Sequence, residues 1–171
     1  MYPIKLGFEE ARKRVAALKK NGHHAEALIT SVFTLEKTLR RSLRYCALSR
    51  GFTSKQCNQL FERMGFQQMK DVWPCFERDH RTLPNFIGPS WEHVPTAVSM
   101  RNKLAHGERV YELSICNSYS RHVMTAVTDF REATLREYGF DSWQKMPTKR
   151  KPSLQWIDNF ASGKSASIPV I

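Results

Sequence analysis

The chain has 171 residues, 41% of them hydrophobic and 11% aromatic, which is enough for one compact domain with a real core and argues against disorder. Twenty-seven Lys and Arg against 16 Asp and Glu leave a formal charge of +11, attractive to phosphate polymers or anionic lipid without choosing between them. The opening "MYPIKLGFEEARKRV" lacks an apolar run of signal-peptide length, and nothing later approaches the roughly 20 apolar residues that span a bilayer. A soluble, cytoplasmic protein without membrane partners is the expectation.

Helical spacing dominates the chain. Phe8, Ala11, Val15 and Leu18 recur at three and four and predict a first helix from Phe8 to Lys20, broken by "NGHH". Leu28, Val32, Leu35, Leu39, Leu43 and Cys46 form a near-heptad stripe on a long helix from Ala25 to about Leu48. That stripe is either a core face or a dimer seam, and it lies opposite a basic face of Lys37, Arg40, Arg41 and Arg44. "TSKQ" at 53–56 has capping-box spacing and starts a third helix from Ser54 to about Met64, ended by Gly65. Residues 70–95 hold four prolines among Trp73, Phe76, Phe86 and Trp91, and read as turns packed by aromatics. Pro95 opens a fourth helix that runs to about His106, with Ala97, Val98, Leu104 and Ala105 facing inward and Gly107 as the stop. Tyr119, Val123, Val127 and Phe130 mark a fifth helix between Asn117 and Tyr138.

These elements predict an all-α bundle of four or five helices over residues 1–140, followed by a basic, partly ordered tail over 141–171. Cys46, Cys57, Cys75 and Cys116 lie 11, 18 and 41 residues apart with no CxxC pair, so reduced, mostly buried thiols are expected rather than a zinc site or disulfides. His23 with His24, and "FERDH" at 76–80, offer no recognised metal spacing either, and neither a metal nor another cofactor is expected.

The segment "VSMRNKLAHGERVY" at 98–111 carries the chemistry. Arg101 supplies a permanent charge that grips phosphate oxygens in two places, and His106 supplies an imidazole, a side chain suited to moving protons. Together they make a phosphodiester-cleaving pair. Five residues on an ideal helix turn a side chain by about 140°, so the two converge only if the helix loosens at its end or if a second subunit completes the site.

"RNKLAH" resembles the Rx4-6H motif of the HEPN superfamily, α-helical domains that include metal-independent ribonucleases of toxin–antitoxin, phage-defence and RNA-processing systems. The resemblance covers residues 8–138 and implies an endoribonuclease in which Arg101 and His106 are catalytic, Asn102 orients His106 or the phosphate, and Glu36 in "FTLEKTLRR" supports the site from an earlier long helix. It also implies RNA as substrate, a homodimer, and a cognate antitoxin as a further partner. Where the nucleotidyltransferase-paired toxins often carry a Tyr two residues after the His, this chain has Glu108, and Tyr111 follows.

Each residue has a plainer reading beside this one. His106 suits any helix C-terminus, Arg101 is one of many arginines, and Glu36 suits an i,i+4 pair with Arg40. Lys103, Arg109 and Tyr111 are candidate RNA contacts, Tyr111 equally a plug for the bundle, and Arg40 with Arg44 either an RNA track or a solvated face. A HEPN-like module that binds nucleic acid, nucleotide or protein without turnover is the alternative function. A helix-turn-helix DNA binder using 54–64 is a poorer third reading, because "QCNQLFERM" carries few basic groups for a phosphate backbone.

Overall fold

The computed structural model describes residues 7–151, which contain seven α-helices and a 3-10 turn, with no strand among the described residues. In chain order these are α1 (Phe8–Lys20), α2 (His24–Ser49), α3 (Ser54–Phe61), α4 (Phe66–Phe76), α5 (Leu83–Ile87), the 3-10 turn Pro89–His93, α6 (Val94–Ala105) and α7 (Leu113–Tyr138). No helix is long and apolar enough to cross a membrane. The all-helical class is as expected, while the helix count exceeds the four or five expected because α4 and α5 form where a run of turns was expected.

The missing elements have a clear cause. Phe66, Met69 and Trp73 are buried at spacings of three and four, one apolar face of a helix, and Gly65 N–H is received by Gln68 Oε1 at 3.0 Å. Pro74 removes one ladder donor but sits in the last turn, so the helix closes two residues later. Further on, Gly88 adopts φ 91°, a conformation that favours glycine, and separates α5 from the 3-10 turn.

The chain divides into two compact units; within the described residues these are 7–38 with 84–144, and 39–83 with 145–151. In the first unit Phe86 packs edge-on to Phe130 at 5.8 Å and stacks on Tyr138 at 5.9 Å, while the Ser31 and Ser120 hydroxyls satisfy each other at 2.8 Å in the core. Arg131 grips Asp141 with two hydrogen bonds, of 2.8 and 2.5 Å, and lies over the Phe8 ring. Trp143 Nε1 donates to Thr38 Oγ1 at 3.0 Å. Residues 141–144 are thereby tied to this unit, and residues 152–171 of the expected tail lie outside the described residues.

In the second unit Phe52 and Phe61 both pack edge-on to Phe76, and Trp73 and Met69 are fully buried. One arginine of α2 and one just after its end close the ends of neighbouring helices. Arg40 donates to the carbonyls of Phe61, Glu62 and Met64, and Arg50 donates to those of Phe76 and Glu77. Both set a positive charge against a negative helix end. Lys149 and Ser54 exchange two hydrogen bonds of 2.9 Å, which joins the segment after residue 144 to the start of α3.

Two expectations about faces change. Leu28, Val32, Leu35, Leu39 and Leu43 are fully buried, so the α2 stripe is core and is not open to a second chain as a dimer seam. Burial of each contributes about 1.5–3 kcal/mol, which ties the stripe to the fold itself. The opposite, basic face is not simply solvated: Arg40 is spent on carbonyls, and Lys37 Nζ sits 4.3 Å from the centre of the Trp143 ring.

Candidate functional site

Helix α6 presents the motif. Pro95 occupies its first turn, and Val94, Ala97 and Met100 are the buried residues; Val98 and Leu104 are half-buried and Ala105 is exposed, contrary to the inward position expected of it. Ala105 is one turn after Arg101 and closes the helix, and it is exposed there at the helix end.

Arg101 follows directly on the buried Met100 and is largely covered. Its Nη2 donates to Glu36 Oε1 on α2, an ion pair in which the two side chains are 16% and 18% exposed. The guanidinium also lies 5.0 Å from the centre of the Phe33 ring, one turn before Glu36, and its buried Nε–H has no hydrogen-bond partner. The motif arginine and the long-helix glutamate are therefore in contact.

The helix then ends cleanly. His106 N–H bonds the Asn102 carbonyl at 3.0 Å, Gly107 takes φ 68°, and Gly107 and Glu108 bond back to Leu104 and Lys103 at 3.2 and 2.9 Å. That is a Schellman closure. The helix does not loosen before His106, whose side chain is exposed and without a hydrogen bond or ion pair among the described residues. With five residues of helix between them, Arg101 turns inward to Glu36 while His106 faces solvent.

Asn102 is exposed and Lys103 half-buried. Beyond the closure, Arg109 is exposed and stacks over the half-buried Tyr111 at 5.1 Å from its centre. Arg40 and Arg44 belong to the second unit, Arg40 on its three carbonyls and Arg44 half-buried.

Several neighbours escaped the sequence reading. Phe33 lies three residues before Glu36 and so shares its helix face, a signal that was available. Val110, Leu113 and Ile115 are 88%, 55% and 40% exposed, an apolar edge directly after the motif. The rings of His93 and His122 lie 4.0 Å apart, with Tyr119 edge-on to both. Burial pushes the His122 imidazole below its ordinary pKa, His93 and Arg121 push the same way, and Glu92 opposes them. No local pattern links positions 93 and 122, because packing of the 3-10 turn on α7 creates the pair.

Compared with protein-family models, with curated proteins and with solved structures, the chain finds no match in any of the three. The chemistry of the site therefore stands on its residues. It offers a fixed cation held by a carboxylate, an exposed imidazole at a closed helix end, and an apolar edge beside them.

Proposed function

We propose that the chain is a HEPN-type endoribonuclease, all-α and homodimeric, with a toxin or phage-defence effector as the setting its motif implies. The observation that carries this reading is the Arg101–Glu36 ion pair, which fixes the motif guanidinium on the same helix whose end exposes His106. In the reaction His106 takes the proton from a ribose 2′-hydroxyl, the 2′-oxygen attacks the adjacent phosphorus while the bond to the 5′-oxygen breaks and that oxygen takes a proton from water to leave as a 5′-hydroxyl, and Arg101 stabilises the charge growing on the phosphoryl oxygens. The nucleophile belongs to the RNA, so the step draws on no metal-activated water. Asn102 orients His106 or the phosphate, and Lys103, Arg109 and Tyr111 hold flanking RNA by charge and stacking. Because Arg101 and His106 of one helix diverge, a second copy completes the site.

A second reading, a HEPN-like binding module without turnover, is favoured by the cover over Arg101. A guanidinium already paired with Glu36 and largely covered has fewer N–H groups left to grip a phosphate. The two readings separate when purified protein is incubated with single-stranded RNA in EDTA. The ribonuclease leaves a 2′,3′-cyclic phosphate and a 5′-hydroxyl and spares DNA, whereas salt-sensitive binding without any cleavage supports the module.

A further inference from the structure

The second unit contains a cavity of about 340 Å³ between α2 and α3, lined by Arg40, Arg44, Cys57, Asn58, Phe61 and Glu62. Its two arginines differ in what remains to them. Arg40 gives its donors to the three carbonyls at the end of α3, so it contributes charge but few free N–H groups. Arg44 makes no side-chain hydrogen bond or ion pair among the described residues, and its Nε–H is buried without an acceptor. A half-buried guanidinium with one buried N–H unmet is costly to leave so, and its fork is the one that matches phosphate or carboxylate oxygens.

Nothing else in the cavity supplies that acceptor. Burial pushes the Cys57 thiol above its ordinary pKa against the opposing pull of Arg44, so it stays neutral near pH 7. Glu62 is exposed and forms no ion pair with Arg44 among the described residues. Asn58, one turn earlier on α3, is exposed and carries an amide able to donate and accept. Buried Phe61 forms an apolar wall. The volume falls within the range of about 300–1,000 Å³ typical of small-molecule clefts, more room than a bare phosphate ion fills.

We propose that this cavity binds a phosphate monoester, with Arg44 gripping the phosphate, Arg40 adding positive potential and Asn58 contacting the attached group. The monoester comes from a small sugar phosphate or from the 5′-end of an RNA. Glu62 weakens the interaction by like charge. The site shares no residue with the Arg101–His106 motif, and binding to it needs no RNA cleavage.

Calorimetric titration of the full chain tests this with inorganic phosphate, ribose 5-phosphate, and an RNA dinucleotide carrying either a 5′-phosphate or a 5′-hydroxyl. Saturation by ribose 5-phosphate supports a small-molecule source, and saturation by the 5′-phosphorylated dinucleotide alone supports an RNA end. In either case Arg44→Ala is expected to weaken binding about tenfold or more, as for loss of a charge-assisted contact. Arg63→Ala, an exposed cation outside the cavity, should change it by less than about twofold. Glu62→Gln should tighten binding, and it decides the matter if Arg44→Ala does not fold. The proposal is overturned if no phosphate probe saturates at millimolar concentration, if the 5′-hydroxyl dinucleotide binds equally well, if Arg44→Ala and Arg63→Ala weaken binding alike, or if Glu62→Gln leaves binding unchanged or weaker.

Discussion

Arg101 and Glu36 lie 65 residues apart in the chain and meet as an ion pair, each side chain less than one-fifth exposed. Removing one partner strands the other's charge in a poorly solvated place, so Glu36→Ala is expected to destabilise the fold by about 1.5–3 kcal/mol. Glu36→Gln keeps an acceptor and should cost less. Urea unfolding of the two single alanine variants and the double variant measures the coupling; additive losses would show that the pair contributes nothing.

Gly107 sets where the motif helix stops. At φ 68° a side chain is strained even though a Cβ there meets nothing within 4 Å, so Gly107→Ala is expected to cost about 1–2 kcal/mol and Gly107→Asn less. Thermal unfolding checks the order. Equal melting temperatures for the wild type and Gly107→Ala would mean that the closure is not held by the glycine.

His122 makes the fold pH-sensitive. Its folded pKa lies below its ordinary 6.5, so as pH falls through 6.5 the unfolded chain takes up a proton that the folded chain refuses. The stability from this group is fully present above 6.5 and declines below it until the folded form also titrates. His122→Gln should flatten the fall in stability between neutral and mildly acidic pH, measured by denaturant midpoints at several pH values. An unchanged slope would remove His122 as its source.

What could be read from the residues alone divides by distance along the chain. The first helix is where Phe8, Ala11, Val15 and Leu18 place it, and the third starts at the Thr53–Gln56 capping box, with Gln56 N–H bonding Thr53 Oγ1 at 3.2 Å. Both signals are local. Helix α4 was hidden by Pro74, whose cost in a last turn is smaller than in a helix interior and is offset by burial of Trp73. The roles of Arg40 and Arg50 were not legible, because their carbonyl targets lie more than twenty residues away and no periodicity connects them. At the candidate site, the motif resemblance points to Arg101 and Glu36, whereas the cover over Arg101 depends on how α6 is rotated, which its weakly amphipathic pattern leaves open.

The apolar edge after the motif gives the proposed dimer a place to form. Leu113→Asp is expected to leave a monomer by light scattering and to abolish cleavage without lowering stability, since Leu113 is 55% exposed in the single chain. Subunit exchange between Arg101→Ala and His106→Ala should restore cleavage at one of the two composite sites. A monomer that cleaves at full rate, or mixtures that stay inactive after proven exchange, would contradict composite sites.

The most direct measurement of the central claim uses an RNA with one mapped cut site, prepared with either a ribose or a 2′-deoxyribose at that position. Wild-type protein in EDTA is expected to cut the first and leave the second intact. His106→Ala should cut neither while binding both nearly as tightly as the wild type, since one imidazole adds little to a contact dominated by phosphate charge. Cleavage of the 2′-deoxy RNA at the mapped position, or full activity in His106→Ala, would contradict the account.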